Sequence, residues 1–229
     1  MFGLGLNLKP RLVGGGTPPT LLAIGANTKA YYGDAGNTVA DVSTVPLTTT
    51  ANSIILFCVV SNGRSTQTFQ DSKSNTWVQV GTSIQPSFYI DVYKSTTNFR
   101  GTNHTFQYTQ GSGFPSIFIV EILGNSPSVD VNAENLDTSS PFQSSTINTT
   151  ANDEILIALV SSDDGTSMPY TLTNWGDGFT NLLDYDRNTG YQGAIGYKVV
   201  ASTGAYKASM TPVAGVTQVG FIIAGIKDN

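Results

Sequence analysis

The sequence predicts an all-β protein: a β-sandwich of jelly-roll or Ig-like type, built from an internal duplication and preceded by an extended N-terminal arm. Three observations carry this reading. Apolar runs of four to eight residues alternate with clusters of Gly, Asn, Ser, Thr and Asp, the signature of strands and turns. No window sustains a helical apolar period. And landmarks recur in the same order: "TTAN" at 49 returns at 149, "YK" at 93 returns at 197, and "FIVEI" at 118 matches "FIIAG" at 221. The offsets are 100, 104 and 103, a drift that loop insertions produce in a duplicated unit.

The chain divides accordingly into an arm and linker (1–19), a first sandwich repeat (20–127) and a second (128–229) that merges with the first into one unit. In the arm, "MFGLGLNLKPRLVGGG", apolar Phe2, Leu4, Leu6 and Leu8 precede Lys9 and Arg11. A secretory signal has the opposite order, so these six residues are expected to form a docking arm, hinged at "GGGTPP".

Strands are expected near 22–32, 54–60, 66–70, 77–80, 88–94, 104–109 and 116–123. In the second repeat they are expected near 142–148, 154–161, 170–173, 179–185, 193–200, 206–211 and 218–226. "IILFCVV", "SIFIVEIL", "EILIALV" and "VGFIIAGI" are almost continuously apolar, which means burial on both faces. Glu121 sets a phase: it alternates with Phe118, Val120 and Ile122, which are placed in the core. Ile117, Ile119 and Glu121 are then expected on a second face, covered by the other half or by another subunit, and are the candidate oligomer face. "FYIDVYK" points Phe88, Ile90 and Val92 inward, whereas "AIGYKVV" favours Ile195, Tyr197 and Val199, and the two phases disagree under the "YK" alignment. Cys58 falls opposite Ala158 and reads as a core filler.

Composition excludes several functions. Charged residues make up 12% of the chain, against about 25% in ordinary domains. Net charge is −5 with no basic stripe, so no nucleic-acid partner is expected. One cysteine and one histidine leave no intramolecular disulfide and almost no Cys/His metal site. No apolar run is long enough to span a membrane, and neither a signal peptide nor a cofactor is expected.

The chemistry-bearing candidates are few. A catalytic triad would need His104, which reads instead as a surface or strand-edge histidine. G-x-S-x-G, H-E-x-x-H and Walker patterns are absent. Asp163 with Asp164, or Asp177 with Asp184 and Asp186, could pair for glycoside hydrolysis. "DYDRNTG" (184–190) begins like a calcium loop but lacks its glycine and glutamate positions. The best binding candidate is residues 173–193, where Trp175, Tyr185 and Tyr191 lie among Asp184 and Asn188, a composition that suits stacking on a sugar. The bland alternative gives Trp175 the core role of Trp77.

The strand phrases resemble a duplicated β-sandwich module of phage virion proteins and bacterial surface proteins. In that module a "GDLLV"-like strand leads to a "GWT-V"-like turn, a "Y-K-A" strand, a "YxWTxS"-like strand and an "AYxGVD" junction. Here "ANSIILFCVV", "SNTWVQV", "DVYKSTT", "HTFQYTQGS" and "IVEILGNSPSVDVNAENL" follow that order over roughly residues 45–227. The second round is "ANDEILIALV", "TNWGDGFTNLLDY", "IGYKVVASTG", "YKASMTP" and "GFIIAGIK". Ala-Asn replaces the leading Gly-Asp in both halves. The resemblance implies non-catalytic structural or adhesive work: a phage tail-tip, fibre or capsid-surface component on the virion. It would dock on other virion proteins through its arm, form a homo-oligomer, preferably a trimer, and display the sandwich to a host-surface glycan. The alternative is a carbohydrate-binding or adhesin module of a bacterial surface protein.

Overall fold

The computed structural model describes residues 22–32, 41–61, 67–84, 88–110, 115–163, 174–185, 191–211 and 216–229. They form an all-β protein with no helix among them. In the first half the strands are β1 (Ala23–Ile24), β2 (Lys29–Tyr32), β3 (Asp41–Ser43), β4 (Leu47–Thr49), β5 (Ile54–Ser61), β6 (Thr68–Asp71), β7 (Trp77–Ile84), β8 (Tyr89–Ser95), β9 (Gly101–His104), β10 (Phe106–Thr109) and β11 (Ser116–Leu123). In the second they are β12 (Pro127–Asp137), β13 (Phe142–Gln143), β14 (Ile147–Asn148), β15 (Glu154–Asp163), β16 (Trp175–Gly176), β17 (Thr180–Tyr185), β18 (Tyr191–Val200), β19 (Ala205–Tyr206), β20 (Ser209–Met210) and β21 (Val219–Asp228).

The duplication is plain in the sheet order. The first half has a large sheet β1-β11-β5-β8-β7, with β2 also on β11, a small sheet β3-β10-β6 and a ribbon β4-β9. The second repeats it as β12-β21-β15-β18-β17, β13-β20-β16 and β14-β19. No sheet mixes strands of the two halves.

Each large sheet is buried on both faces. Leu56, Cys58, Val60, Phe118, Val120 and Ile122 share one apolar layer with Ile155, Ile157, Leu159, Ile195, Ile222 and Ile226 of the other half. The opposite face of the first large sheet carries Ile55, Phe57, Val59, Ile117 and Ile119, which pack under Val42, Phe106 and Tyr108 of the small sheet. The second half repeats this outer layer with Leu156, Ala158, Val160, Phe221 and Ile223. The order of layers is therefore small, large, large, small, and it explains the near-continuous apolar runs.

Three expectations are corrected here. Ile117 and Ile119 are fully buried, and Glu121 with them, beneath the small sheet of their own half. They cannot form an oligomer face. Cys58 is a buried free thiol, its pKa raised by burial, but it faces the shared layer, whereas Ala158 faces the outer one. The reason is one extra residue. Thr49 Oγ1 accepts from Gly101 N at 3.1 Å and Thr149 Oγ1 from Gly204 N at 3.0 Å, so these threonines correspond. The left-handed turn residue that follows is Asn52 in one copy and Asp153 in the other, three and four residues on (52 − 49 and 153 − 149). A one-residue shift turns every later side chain to the other face. The counterpart of Cys58 is Leu159, and that of Ala158 is Phe57. The same shift resolves the "YK" disagreement: Phe88, Ile90 and Val92 face the shared layer, as do Ile195 and Tyr197, while Val199 is 63% exposed.

The "junction" is the longest strand of the fold. β12 pairs with β21 and is bulged between Val129 and Val131. Val129 packs on the shared layer, but Val131 and Ala133 pack on the outer one, so the bulge turns the strand over. Beyond the bulge, Asn132 Nδ2 donates to Val80 O at 2.7 Å and Glu134 Oε2 accepts from Thr82 N at 2.9 Å. These side chains occupy backbone groups on the free edge of β7, a common defence of an edge strand. The strand expected at 170–173 lies outside the described residues.

The halves interlock by shape. An ideal Cβ on Gly220 would lie 2.9 Å from atoms of Phe88 and Ile90, and one on Gly193 would lie 2.9 Å from Phe118. Aromatic rings of the first half thus fill glycine gaps in the second. Gly220→Ala overpacks this layer, at a cost of about 1–3 kcal/mol. Thermal unfolding should show a midpoint lowered by roughly 2–12 °C; an unchanged midpoint would contradict the interlock.

Candidate functional site

The duplication provides an internal comparison. A feature in both halves serves the fold, and a feature in one half is a candidate for something more. The Thr49–Gly101 and Thr149–Gly204 clamps belong to the first kind.

The aromatic segment 173–193 belongs partly to it. β16 pairs Trp175 with Met210, as β6 pairs Phe69 with Tyr108. Trp175 therefore stands at the place of Phe69, and Phe179, just before β17, stands at that of Trp77. The first half fills its outer layer with Phe57, Phe69, Trp77 and Tyr93. The second has Ala158 and Gly196 at the places of Phe57 and Tyr93, and the Trp175 indole lies directly over Gly196. A tryptophan at the place of Phe69 covers the gap that the missing ring leaves at Gly196. Trp175 thus has a core role, but that of Phe69, and its half-buried ring is not a free stacking platform.

The polar edge of that indole leads outward. Trp175 Nε1 donates to Asn181 Oδ1 at 3.1 Å, and Asn181 Nδ2 donates to Asp184 Oδ1 at 3.2 Å. Asp184 is exposed. Tyr185 pairs with Gly193 across the β17–β18 hairpin, and Tyr191 opens β18. The fold thus brings Trp175, Asp184, Tyr185 and Tyr191 to one hairpin. Asn188 and Asp186 lie outside the described residues, as do Asp164 and all six arm residues, Phe2, Leu4, Leu6, Leu8, Lys9 and Arg11. Among the described residues no group of three or more His, Cys, Asp or Glu side chains could hold a metal ion, and no helix is long and apolar enough to cross a membrane.

His104 is not at the surface. It is completely buried, stacked on Phe106 with ring centroids 4.2 Å apart. The ribbon β4-β9 continues the β3-β10 ladder of the small sheet, with Thr44 N donating to Phe106 O at 2.9 Å between them, and His104 is buried on it. His104 Nδ1 is 2.8 Å from Thr49 Oγ1, and Nε2 is 3.6 Å from Asp71 Oδ1. This set resembles a triad only in composition. Thr49 Oγ1 already accepts from Gly101 N and is buried, so no substrate reaches it. Tyr206 takes the place of His104 in the second half, pairing with Ile147 as His104 pairs with Leu47.

Two signals escaped the sequence. Arg100 is a hub whose guanidinium donates to Ser53 Oγ and O, Ser95 Oγ, Asn75 Oδ1 and Phe99 O. It lines a polar cleft with Asn52, Asn98, Asn125 and Ser126. Burial lowers its pKa, and the negative charges of Glu121 and Asp71 oppose that. The other is a bulged aspartate on β12. An arginine between Phe and Gly, and an aspartate in a polar junction, carry no local signature. No family model, curated protein or solved structure matches the chain.

Asp71 gives a testable pH dependence. Burial acts to raise its pKa, but His104 and the N–H groups of Asn75 and Lys73, the latter two at 3.1 and 2.8 Å, outweigh it and hold the carboxyl below its ordinary 3.8. The unfolded chain therefore binds a proton first as pH falls. The contribution is full above the ordinary value and is lost as pH drops through the folded value. Asp71→Asn should cost about 1–3 kcal/mol at pH 6 and flatten the acid limb in urea titrations. An acid limb identical to that of the parent would exclude this role.

Proposed function

We propose that the chain is a non-catalytic structural protein of a bacteriophage particle: a tail-tip, fibre or capsid-surface component that displays its double sandwich outward. The observation that carries this reading is the repeated sheet order locked through one shared apolar layer. Such a body is a rigid spacer whose large sheets have their central strands buried on both faces, so what varies is left to loops and hairpin ends. The phrase order shared with virion modules points the same way. Docking falls to the arm, through Phe2, Leu4, Leu6 and Leu8 in an apolar groove and Lys9 and Arg11 at its rim. The assembly is a homo-oligomer, a trimer by preference, joined through surfaces other than Ile117 and Ile119. No reaction is assigned: the one histidine is sealed in the interior beside a threonine that already has its partners.

An antibody raised against the purified chain should decorate intact particles in immunogold micrographs. A chain lacking residues 1–19 should fold, with the thermal midpoint of the parent, and be missing from purified particles. A truncated chain that still enters particles would refute arm docking.

A second reading has its own observation. The β17–β18 hairpin gathers Asp184, Tyr185 and Tyr191 at one end, with Asp184 tied to the Trp175 indole through Asn181. That arrangement suits recognition of a host-surface glycan by stacking with polar capture of hydroxyls. Tyr185→Ala with Tyr191→Ala should then reduce binding to host cells by tenfold or more, about 1.4 kcal/mol. Binding at the parental level would remove the glycan reading and leave the structural one standing.

A further inference from the structure

We propose that Lys227 and Asp130 are the partners of an intramolecular amide bond, with Glu154 as its proton carrier. The three residues come from adjacent strands of one sheet, β21, β12 and the start of β15. The bulge in β12 leaves Asp130 outside the regular ladder, between Val129 and Val131. There its Oδ1 lies 2.7 Å from Lys227 Nζ. The aspartate side chain is only 3% exposed, unlike that of an ordinary surface ion pair. Thr150 donates to it twice, from N to Oδ2 at 2.7 Å and from Oγ1 to Oδ1 at 2.5 Å. Glu154 is completely buried beside it. One Glu154 oxygen accepts from Ala151 N at 2.9 Å, and the other, Oε2, has no hydrogen-bond partner.

The two carboxyls hold their protons unequally. Burial and the neighbouring Asp130 charge raise the Glu154 pKa, against the Ala151 N–H that lowers it. Burial also acts to raise that of Asp130, but Lys227 and Thr150 outweigh it and bring it to about 2. A carboxyl whose proton is held more tightly, beside one held as the ion, is the usual pairing of acid and base.

The chemistry closes without a co-reactant. A proton passes from the Lys227 ammonium to Asp130 Oδ1 across the 2.7 Å contact, giving a neutral amine and a neutral acid. The Lys227 and Thr150 contacts favour the ionised carboxyl, so this transfer is the uphill step. The amine lone pair attacks Asp130 Cγ. Oδ2, held by the Thr150 N–H, takes the developing charge and stays as the amide carbonyl. Glu154 gives its proton to the leaving Oδ1 hydroxyl and takes the surplus proton from nitrogen. One C–N bond forms, one C–O bond breaks, and one water leaves. Nothing is oxidised or reduced.

The first half shows what the site lacks without these residues. A buried carboxylate is present there too: Glu121 accepts at 2.6 Å from Thr50 N, the counterpart of the Thr150 N that donates to Asp130, though it comes from β11, at the place of Gly225, and not from the place of Glu154. But Gly25 and Leu123 stand in the places of Asp130 and Lys227. The bond is therefore confined to the second half. It closes a covalent loop of 97 residues (227 − 130) and ties the last strand to the strand that joins the halves.

Mass spectrometry of the intact full-length chain tests this directly. The protein should be one water lighter than its sequence, after allowance for the initiator methionine. Trypsin should release a joined fragment of residues 101–187 and 208–229. Lys227→Arg keeps the charge and the ion pair but cannot condense, so it should appear at full sequence mass, and Glu154→Gln should as well. A parent chain at full sequence mass after prolonged incubation at neutral pH would overturn the proposal, as would loss of water without the joined fragment. A Glu154→Gln chain that condenses like the parent would remove Glu154 from the mechanism.

Discussion

Everything in this fold depends on one constraint: the two large sheets are buried on both faces. Strands β5, β11, β15 and β21 have no solvent side, so each position along them must be apolar, small or satisfied. The exceptions show how strict this is. Glu121 is tolerated because Thr50 N donates to it and because Gly25, having no side chain, leaves it space. Burying an unpaired carboxylate would be costly. The shared layer also makes the halves interdependent. Each large sheet needs the other to cover one of its faces, so neither half is an independent sandwich, although no hydrogen-bonded sheet crosses between them.

A single added residue then separates the copies. The turn after Thr149 is one residue longer than that after Thr49, and it reverses the facing of β15 relative to the repeated letters. The packing follows from that. Positions that the letters align lie in different layers, which is why Phe57 corresponds to Ala158 and why Trp175 covers Gly196. The gap at the smaller residues is covered by a ring from another position, because close packing constrains space and not identity.

This is also where sequence reasoning stopped. The all-β class, the duplication and the two-faced burial were legible, because turn residues and long β-branched runs are local signals. Phe118, Val120 and Ile122 were placed correctly because Glu121 fixed their phase. What covered Ile117 and Ile119 was not legible, since it depends on the non-local pairing of β3, β10 and β6. β12 was read as a junction because "PSVDVNAENL" carries polar residues at positions that a two-faced core would forbid. It lies at a sheet edge, where Asn132 and Glu134 have backbone to bind. His104 was misplaced because its neighbours in sequence are polar, whereas its neighbours in space are Phe106, Thr49 and Asp71. Of the candidate segment, the strand ending at Tyr185 was legible from spacing. The role of Trp175 was not, because it rests on the absence of side chains at Gly196 and Ala158.

Comparison of the copies gives a physical criterion for specificity. Where two halves share topology, selection for folding acts on both alike, and the residues it needs recur, as the threonine clamps do. Polar groups present once have no such explanation. Besides the Arg100 hub and the Trp175–Asn181–Asp184 chain, two polar sets of this kind set a carboxylate against a basic side chain. One is the Asp71–His104 pair, fully enclosed, whose effect is limited to holding the ribbon β4-β9 to the small sheet. The other is Lys227 with Asp130, which a β-bulge turns out of its ladder toward a glutamate that the fold already keeps in place. A bulge interrupts a ladder that would otherwise run the length of β12. Such an interruption is retained where the displaced side chain has a use, and the charged partner offered to this one is Lys227, with Glu154 beside them. The second half thus sets a buried glutamate of its own beside the two groups needed to form a bond there.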